Sequence, residues 1–330
     1  MSVLVTGGAG YIGSHMVWAL VDAGEDVVVV DRLSTGFEWA VAPEARFIRA
    51  DIADTAALGA VIRDHGVDAI IHFAGSVVVP ESVSDPLGYY HNNTVNSLGL
   101  IRTAVETGVP HLVFSSTAAV YGTPATDAPV SETAALAPES PYGVSKLMTE
   151  LMLRDAAAAH DLRYAALRYF NVAGADPRGR TGQSTRGATH LIKAATEAAL
   201  GKRGHIDVFG TDYPTRDGTC VRDYIHVTDL VAAHLRALAH LRGGGDSLVA
   251  NCGYGRGYSV LDVLDAVRRA HGADFDIRMA GRRPGDAVSV VADATRAREI
   301  LGWVPEHDDL DGIVESALAW EAGLTRRNRI

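Results

Sequence analysis

The sequence predicts an α/β protein built on a doubly wound parallel sheet, joined to a smaller α/β domain. Three observations carry that prediction. Short Val- and Ile-rich runs, apolar on both faces, alternate with longer helical patterns through the first 170 of 330 residues. Turn residues punctuate the alternation, in a chain with 34 Gly. A glycine-rich turn joins the first strand pattern to the first helical one, where such sheets bind phosphates.

The elements follow in order. Ser2 to Val5 is a buried strand, and Tyr11 to Ala23 is a helix ended by Gly24. Asp26 to Val30 and Arg46 to Arg49 are the second and third strands. Asp54 to Asp64 is helical, with Asp54 as N-cap, and Val67 to His72 is the fourth strand. Asp85 to Thr107 reads as one long helix closed by Gly108, and His111 to Ser115 as the fifth strand. Ser140 caps a helix from Pro141 to His160, and Arg163 to Leu167 is the sixth strand. The rhythm then breaks. Gly174 to Gly187 is a loop, Thr189 to Leu200 a helix, Val208 to Arg222 turn-rich, and Val227 to Leu241 a helix before the Gly243–Gly245 hairpin or linker. Residues 1–170 are therefore expected to form one domain. Residues 171–330 form a second, interleaved with late elements of the sheet.

Composition excludes several classes. Hydrophobic residues make up 47% and charged residues 21%, which is the ordinary globular range. A net charge of −10 disfavours nucleic acid. No apolar run approaches the roughly 18 residues of a membrane span. The chain opens straight into a strand pattern, and two cysteines, Cys220 and Cys252, are too few for a disulfide framework. The expectation is a soluble cytoplasmic protein with no membrane partner and no metal. Only three of the 30 basic residues are lysines, Lys146, Lys193 and Lys202. A Lys retained among so many Arg suits a role as a compact ammonium whose pKa can shift.

The turn Thr6-Gly7-Gly8-Ala9-Gly10-Tyr11-Ile12-Gly13 carries the first chemistry. Its glycines permit positive φ and close backbone approach to a pyrophosphate, with a helix N-terminus facing the phosphates. Asp31 ends the second strand about 20 residues on, where a carboxylate binds ribose hydroxyls. This is the dinucleotide fingerprint of a Rossmann fold. A carboxylate at Asp31 repels a 2′-phosphate, so NAD is expected over NADP, although Arg32 is adjacent. Tyr142 and Lys146 lie four apart on one helical face. An ammonium beside a phenol favours the phenolate, which can take a proton from a hydroxyl while hydride leaves its carbon. An exposed helical pair is the alternative. Ser115-Ser116-Thr117, at the ligand-binding end of the fifth strand, favours the catalytic reading.

Longer stretches carry a resemblance. They are TGGAGYIGSH at Thr6 to His15, HFAG at His72 to Gly75, PESVSDPLGYYHNN at Pro80 to Asn93 and SSTAAVYG at Ser115 to Gly122. SPYGVSK at Ser140 to Lys146, LRYFNVAGA at Leu167 to Ala175, FGTDYPTRDGTCVRDYIHV at Phe209 to Val227 and RRPGD at Arg282 to Asp286 complete the set. Together they resemble the UDP-glucose 4-epimerases of the extended short-chain dehydrogenase/reductase superfamily, over nearly the whole chain.

The resemblance implies roles. Tyr142 is the acid/base at the sugar 4-hydroxyl, Lys146 binds the nicotinamide ribose, and Thr117 hydrogen-bonds the 4-hydroxyl. Gly7, Gly10, Tyr11, Ile12, Gly13, Asp31, Arg32, Leu33, Ser34, Asp51 and Ile52 hold NAD. So do Phe73, Ala74, Gly75, Asn92 and Phe170. Asn171, Phe209, Arg222, Arg283, Asp286 and Val290 hold the UDP-hexose, with Val290 beside the sugar as a size gate. Ordinary salt bridging is the alternative for Arg222 and Arg283. The implied reaction interconverts UDP-glucose and UDP-galactose on tightly held NAD, with the N-acetylhexosamine forms also admitted. Long helices of this family pair across a two-fold axis, implying a homodimer. The sequence departs from the family at Val77, where many members carry Lys, and at His190, where some carry Asn. A UDP-pentose 4-epimerase, another enzyme modifying nucleotide sugars, or a non-catalytic NAD-sensing protein shares the fold. Ala118-Ala119 after Thr117 lack the acidic pair that a dehydratase needs.

Overall fold

The computed structural model describes residues 1–283 and 287–327; the expected site residue Asp286 lies outside the described residues. The first half runs β1 (Ser2–Thr6), α1 (Tyr11–Asp22), β2 (Asp26–Asp31), β3 (Arg46–Arg49), α2 (Thr55–Asp64) and β4 (Val67–His72). It continues with α3 (Val79–Ser84), α4 (Pro86–Tyr89), α5 (Asn96–Thr107), β5 (His111–Ser115), α6 (Pro141–Ala159) and β6 (Arg163–Tyr169). Next come β7 (Asn171–Ala173), α7 (Leu191–Ala199), β8 (Ile206–Phe209), β9 (Val221–His226), α8 (Val227–Arg242) and β10 (Leu248–Cys252). The last elements are β11 (Gly257–Ser259), α9 (Val260–His271), β12 (Ile277–Ala280), β13 (Ser289–Val290), α10 (Thr295–Leu301) and α11 (Leu310–Arg327).

Seven strands form one sheet in the order β3-β2-β1-β4-β5-β6-β10, with every pairing parallel. Strand alternation sorts the core into two layers. Val3, Val5, Val27, Val29 and Ile71 face one way, packing with Met16 and Leu20 of α1 and Leu230 and Leu238 of α8. Leu4, Val28, Val30, Ile70 and Phe114 face the other, against Leu58 of α2, Leu100 of α5 and Leu153 of α6. Burial on both faces is why these strands read as continuous apolar runs. The strand order reverses between β1 and β4. That switch point opens a crevice at the C-terminal edge of the sheet.

In the second half, β9 pairs with β7, β11 and β13, and β8 pairs with β12. The expected caps form. Asp54 accepts from the Ala57 N–H at 2.9 Å, Ser140 accepts from Gly143 at 3.2 Å, and Gly108 closes α5 at φ 73°. Two expectations change. The helix expected over Asp85 to Thr107 is interrupted by a π-helical stretch, Tyr90–Val95. Asn92 and Asn93 sit there, poor helix formers whose amides are drawn to the Ser76 loop. The turn-rich Val208–Arg222 segment holds the end of β8 and the start of β9. Of the hairpin or linker expected at Gly243–Gly245, the structure has the linker, joining α8 to β10.

Candidate active site

The crevice is a cleft of about 550 Å³, within the usual range for small-molecule sites. It runs under strand ends from β3 to β6. Gly7, Gly10, Tyr11, Ile12 and Gly13 form its floor, with Asp31, Arg32, Ser34, Asp51 and Ile52 on one side. Phe73, Ala74, Gly75 and Asn92 lie in the middle, and Thr117, Tyr142, Tyr169, Phe170 and Asn171 on the other side. Fold alone brings these residues together from 165 positions of chain.

The glycine turn is built for close approach. Gly7 sits at φ +72°, and a Cβ there would stand 2.6 Å from the Ala74 nitrogen. A Cβ at Gly13 would collide with the Gly7 carbonyl. Asp31 is held from both sides: the Ala9 N–H donates to Oδ2 at 3.0 Å and the Leu33 N–H to Oδ1 at 2.7 Å. Leu33 turns the chain around the carboxylate at φ 62°, the one left-handed non-glycine among the described residues. A carboxylate has about four acceptor sites, so Asp31 keeps lone pairs for a diol. Arg32 donates to Asp51 Oδ2 at 2.9 Å, so its charge is engaged beside the carboxylate that faces the cleft. Glycines that admit a pyrophosphate, a helix N-terminus beneath them and an acceptor carboxylate at the second strand fit an adenine dinucleotide.

On the opposite side, α6 presents Tyr142 and Lys146, both buried. Thr117 follows β5, where its hydroxyl accepts from the Ala119 N–H at 3.1 Å and hydrogen-bonds the Tyr142 phenol. Burial pushes the Tyr142 phenol well up, helped by Tyr169, while the Thr117 hydrogen bond works in the other direction. Burial also pushes Lys146 down to about 8, against the pull of the Glu150 carboxylate. The Lys146 ammonium donates to the Ser115 carbonyl at 3.0 Å and lies 4.8 Å over the Phe114 ring. Sequence spacing paired Lys146 with the phenol. In the fold its hydrogen bond goes to β5, while burial, Tyr169, Thr117 and Tyr89 act on the Tyr142 phenol.

The other expected residues form a second group. Val290 pairs in register with Arg222 across β13 and β9, and packs with Phe170, Ala287 and Ala292. Arg283 lies 5.1 Å over the Phe209 ring. None of Leu33, Lys146, Phe209, Arg222, Arg283 and Val290 is among the residues lining the cleft. Phe170 joins the two groups, since it lines the cleft and packs on Val290. Val77 and His190, the two departures, both line the cleft. Sequence reasoning missed Asn93, Glu150 and Arg168. Asn93 accepts from Ser76 N at 2.7 Å and donates to Ser145 Oγ at 3.1 Å, bracing the cleft wall against α6. The adjacent asparagines within a helical pattern were its only signal.

The fold and cleft define a dinucleotide-dependent enzyme of the short-chain dehydrogenase/reductase type. The chain belongs to the NAD dependent epimerase/dehydratase family, whose model matches residues 3–253. It is 59% identical over 322 residues to a UDP-glucose 4-epimerase of Azospirillum brasilense, covering 98% of this chain and 92% of the relative. The UDP-glucose 4-epimerase from Brucella ovis, solved in complex with NAD, is 44% identical with a TM-score of 0.93. That match covers 96% of this chain and 97% of the other. The UDP-Glc/GlcNAc 4-epimerase from Campylobacter jejuni is 46% identical with a TM-score of 0.85, covering 98% and 99%.

Proposed function

We propose that this protein is a UDP-glucose 4-epimerase, interconverting UDP-glucose and UDP-galactose on tightly held NAD. The observation that carries this reading is one cleft joining the Gly7–Gly13 turn and Asp31 to the hydrogen-bonded Thr117–Tyr142 pair. Full-length likeness to UDP-glucose 4-epimerases supports it. Residues 1–170 would hold the cofactor, and Asn171, Phe209, Arg222, Arg283, Asp286 and Val290 the UDP-sugar. Two arginines suit a diphosphate in a chain of net charge −10.

Held by the Gly7–Gly13 turn and Asp31, NAD would supply the hydride acceptor for the sugar C4 and the donor for its return. Tyr142 takes the O4 proton as C4 is oxidised and returns it on reduction. Thr117 orients the 4-hydroxyl and donates to the phenolate. Lys146 supplies buried positive charge at the cleft edge, where a Cβ on Gly75 would lie 3.9 Å from its nitrogen. The UDP stays anchored while the 4-keto sugar turns over, so tight nucleotide binding and loose sugar binding are both required. Tyr142 carries both proton transfers, and Ala118-Ala119 after Thr117 have no proton to give.

Helices α3 to α6 expose Val83 (65%), Leu87 (79%), Val95 (51%) and Leu151 (40%). These exposed apolar side chains support a homodimer, which sedimentation at micromolar concentration tests; a monomer there would remove the dimer. The described residues contain no helix long and apolar enough to cross a membrane. A product assay by NMR with UDP-galactose, UDP-N-acetylgalactosamine and UDP-arabinose tests the function. UDP-glucose from the first substrate is expected. Turnover of the pentose alone would replace this reading with a UDP-pentose epimerase.

A further inference from the structure

Behind the catalytic pair lies a buried ionic network that the reaction as described does not use. Glu150 and Arg168 have side chains about 5% exposed. Glu150 is one helical turn beyond Lys146 on α6, as Lys146 is one turn beyond Tyr142. Its carboxylate accepts from Ser116 Oγ at 2.5 Å, and Ser116 immediately precedes Thr117. It also accepts from Arg168 Nε at 3.0 and 3.2 Å and from Arg168 Nη2 at 2.6 Å. Arg168 lies on β6, two residues before Phe170. Its other arm donates to the Tyr121 hydroxyl at 3.0 Å, which donates to Asn251 Oδ1 on β10 at 2.7 Å.

We infer that Glu150 is a positioning residue for the epimerisation: its single carboxylate ties α6 to the ends of β5 and β6 and so fixes Tyr142, Lys146 and Thr117 relative to one another. This rests on the proposed function for its kinetic arm only. The geometry is economical. Tyr142 and Lys146 ride on α6, Thr117 follows β5, and Phe170 follows β6; Glu150 is bonded to or borne by all three elements. Its negative charge also faces Lys146 in a water-poor site, where charge interactions are strong. Burial alone drives the Lys146 ammonium toward its neutral form, and the Glu150 carboxylate opposes that. The other ionisable groups around this cluster are Tyr142 on α6, His72 on β4, Tyr121 after β5, and Tyr164, Arg168 and Tyr169 on β6. His72 is held neutral by burial, with its ring nitrogens engaged by Thr6 and Ser97. That leaves Glu150 as the anion acting on Lys146 among the described residues.

The chain offers a direct readout, since it has three lysines. Protein labelled with carbon-13 at the lysine side chains gives three ε-carbon signals, assigned by loss of one in K146M. Glu150→Gln keeps the shape and removes the charge. Removing one member of a buried pair is destabilising, so E150Q/R168M, which removes both charges, is measured beside it. In E150Q the midpoint of the Lys146 titration is expected to fall by at least about one pH unit, and by less in the double variant, which also removes the Arg168 cation. The kcat for UDP-galactose is expected to fall about 10- to 100-fold, with KM changed less than about threefold. A folded E150Q with the Lys146 midpoint at the wild-type value, or a folded double variant with kcat at the wild-type value, overturns the inference. Wild type without epimerase activity refutes the proposed function instead, and the Lys146 titration still reads the Glu150 charge.

Discussion

Gly7 offers a prediction whose size can be worked from the structure. Its φ of +72° is left-handed, and a Cβ would stand 2.6 Å from the Ala74 nitrogen, 2.9 Å from Ala74 Cα and 3.0 Å from the Phe73 carbonyl carbon. All three atoms are backbone, so no side chain can rotate away. The left-handed conformation costs about 1–2 kcal/mol for an alanine. Overpacking a well-filled site adds about 1–3 kcal/mol. Gly7→Ala is therefore expected to lose about 2–5 kcal/mol of stability, or to relieve the clash by spreading β1 from β4 and so opening the dinucleotide cradle. Gly66→Ala is the control: φ is +58° and nothing lies within 4 Å of the added Cβ. It should lose only the conformational share, about 1–2 kcal/mol, and keep its nucleotide. Urea unfolding gives the stabilities, and mass analysis of nucleotide released on denaturation gives the occupancy. If Gly7→Ala is no less stable than Gly66→Ala and retains bound NAD, the close approach of the turn to β4 is not what the structure says.

Three further outcomes follow. Tyr142→Phe removes only a hydroxyl, so the fold and bound NAD should remain while kcat falls about 100- to 10,000-fold; near-wild-type turnover would dismiss Tyr142 as the base. Burial holds Lys146 at about 8 in the folded protein, below the ordinary lysine value of about 10.4, so the folded state binds that proton more weakly. Its stability penalty is full below about pH 8 and is relieved as pH rises toward 10.4, so Lys146→Met should stabilise on the order of 1–3 kcal/mol at pH 7, lose that gain near pH 10, and lower kcat. Unfolding at both pH values checks the sign; a variant equally stabilised at both would dismiss the titration argument. Val290→Tyr should remove activity on N-acetylhexosamine forms more than on UDP-galactose, and because Val290 packs on Phe170 its thermal midpoint must be measured alongside. Equal loss on both substrates would end the gate argument.

What could be read from the sequence depended on whether the signal was local. The Gly7–Gly13 turn, Asp31 at a strand end and Tyr142 at a helix start are short-range patterns, and the sheet order follows from right-handed βαβ crossovers. The π-helical stretch at Tyr90–Val95 was not legible, because helical periodicity does not register one extra residue in a turn. The direction of Lys146 was also hidden: spacing shows a shared helix face, while the Ser115 carbonyl that captures the ammonium comes from a strand 31 residues earlier. Glu150 and Arg168 are 18 positions apart on a helix and a strand, and no local pattern pairs them. Burial made them partners, and burial is a property of the packed sheet.

In the proposed reaction a hydride leaves C4 of a UDP-hexose and returns to it while Tyr142 moves the O4 proton. UDP-galactose carrying deuterium at C4, incubated with the purified protein in ordinary water, tests this most directly. The expected product is UDP-glucose that retains the deuterium at C4, formed by the wild type and not by Tyr142→Phe. UDP-glucose with hydrogen from water at C4, or no UDP-glucose at all, would contradict it.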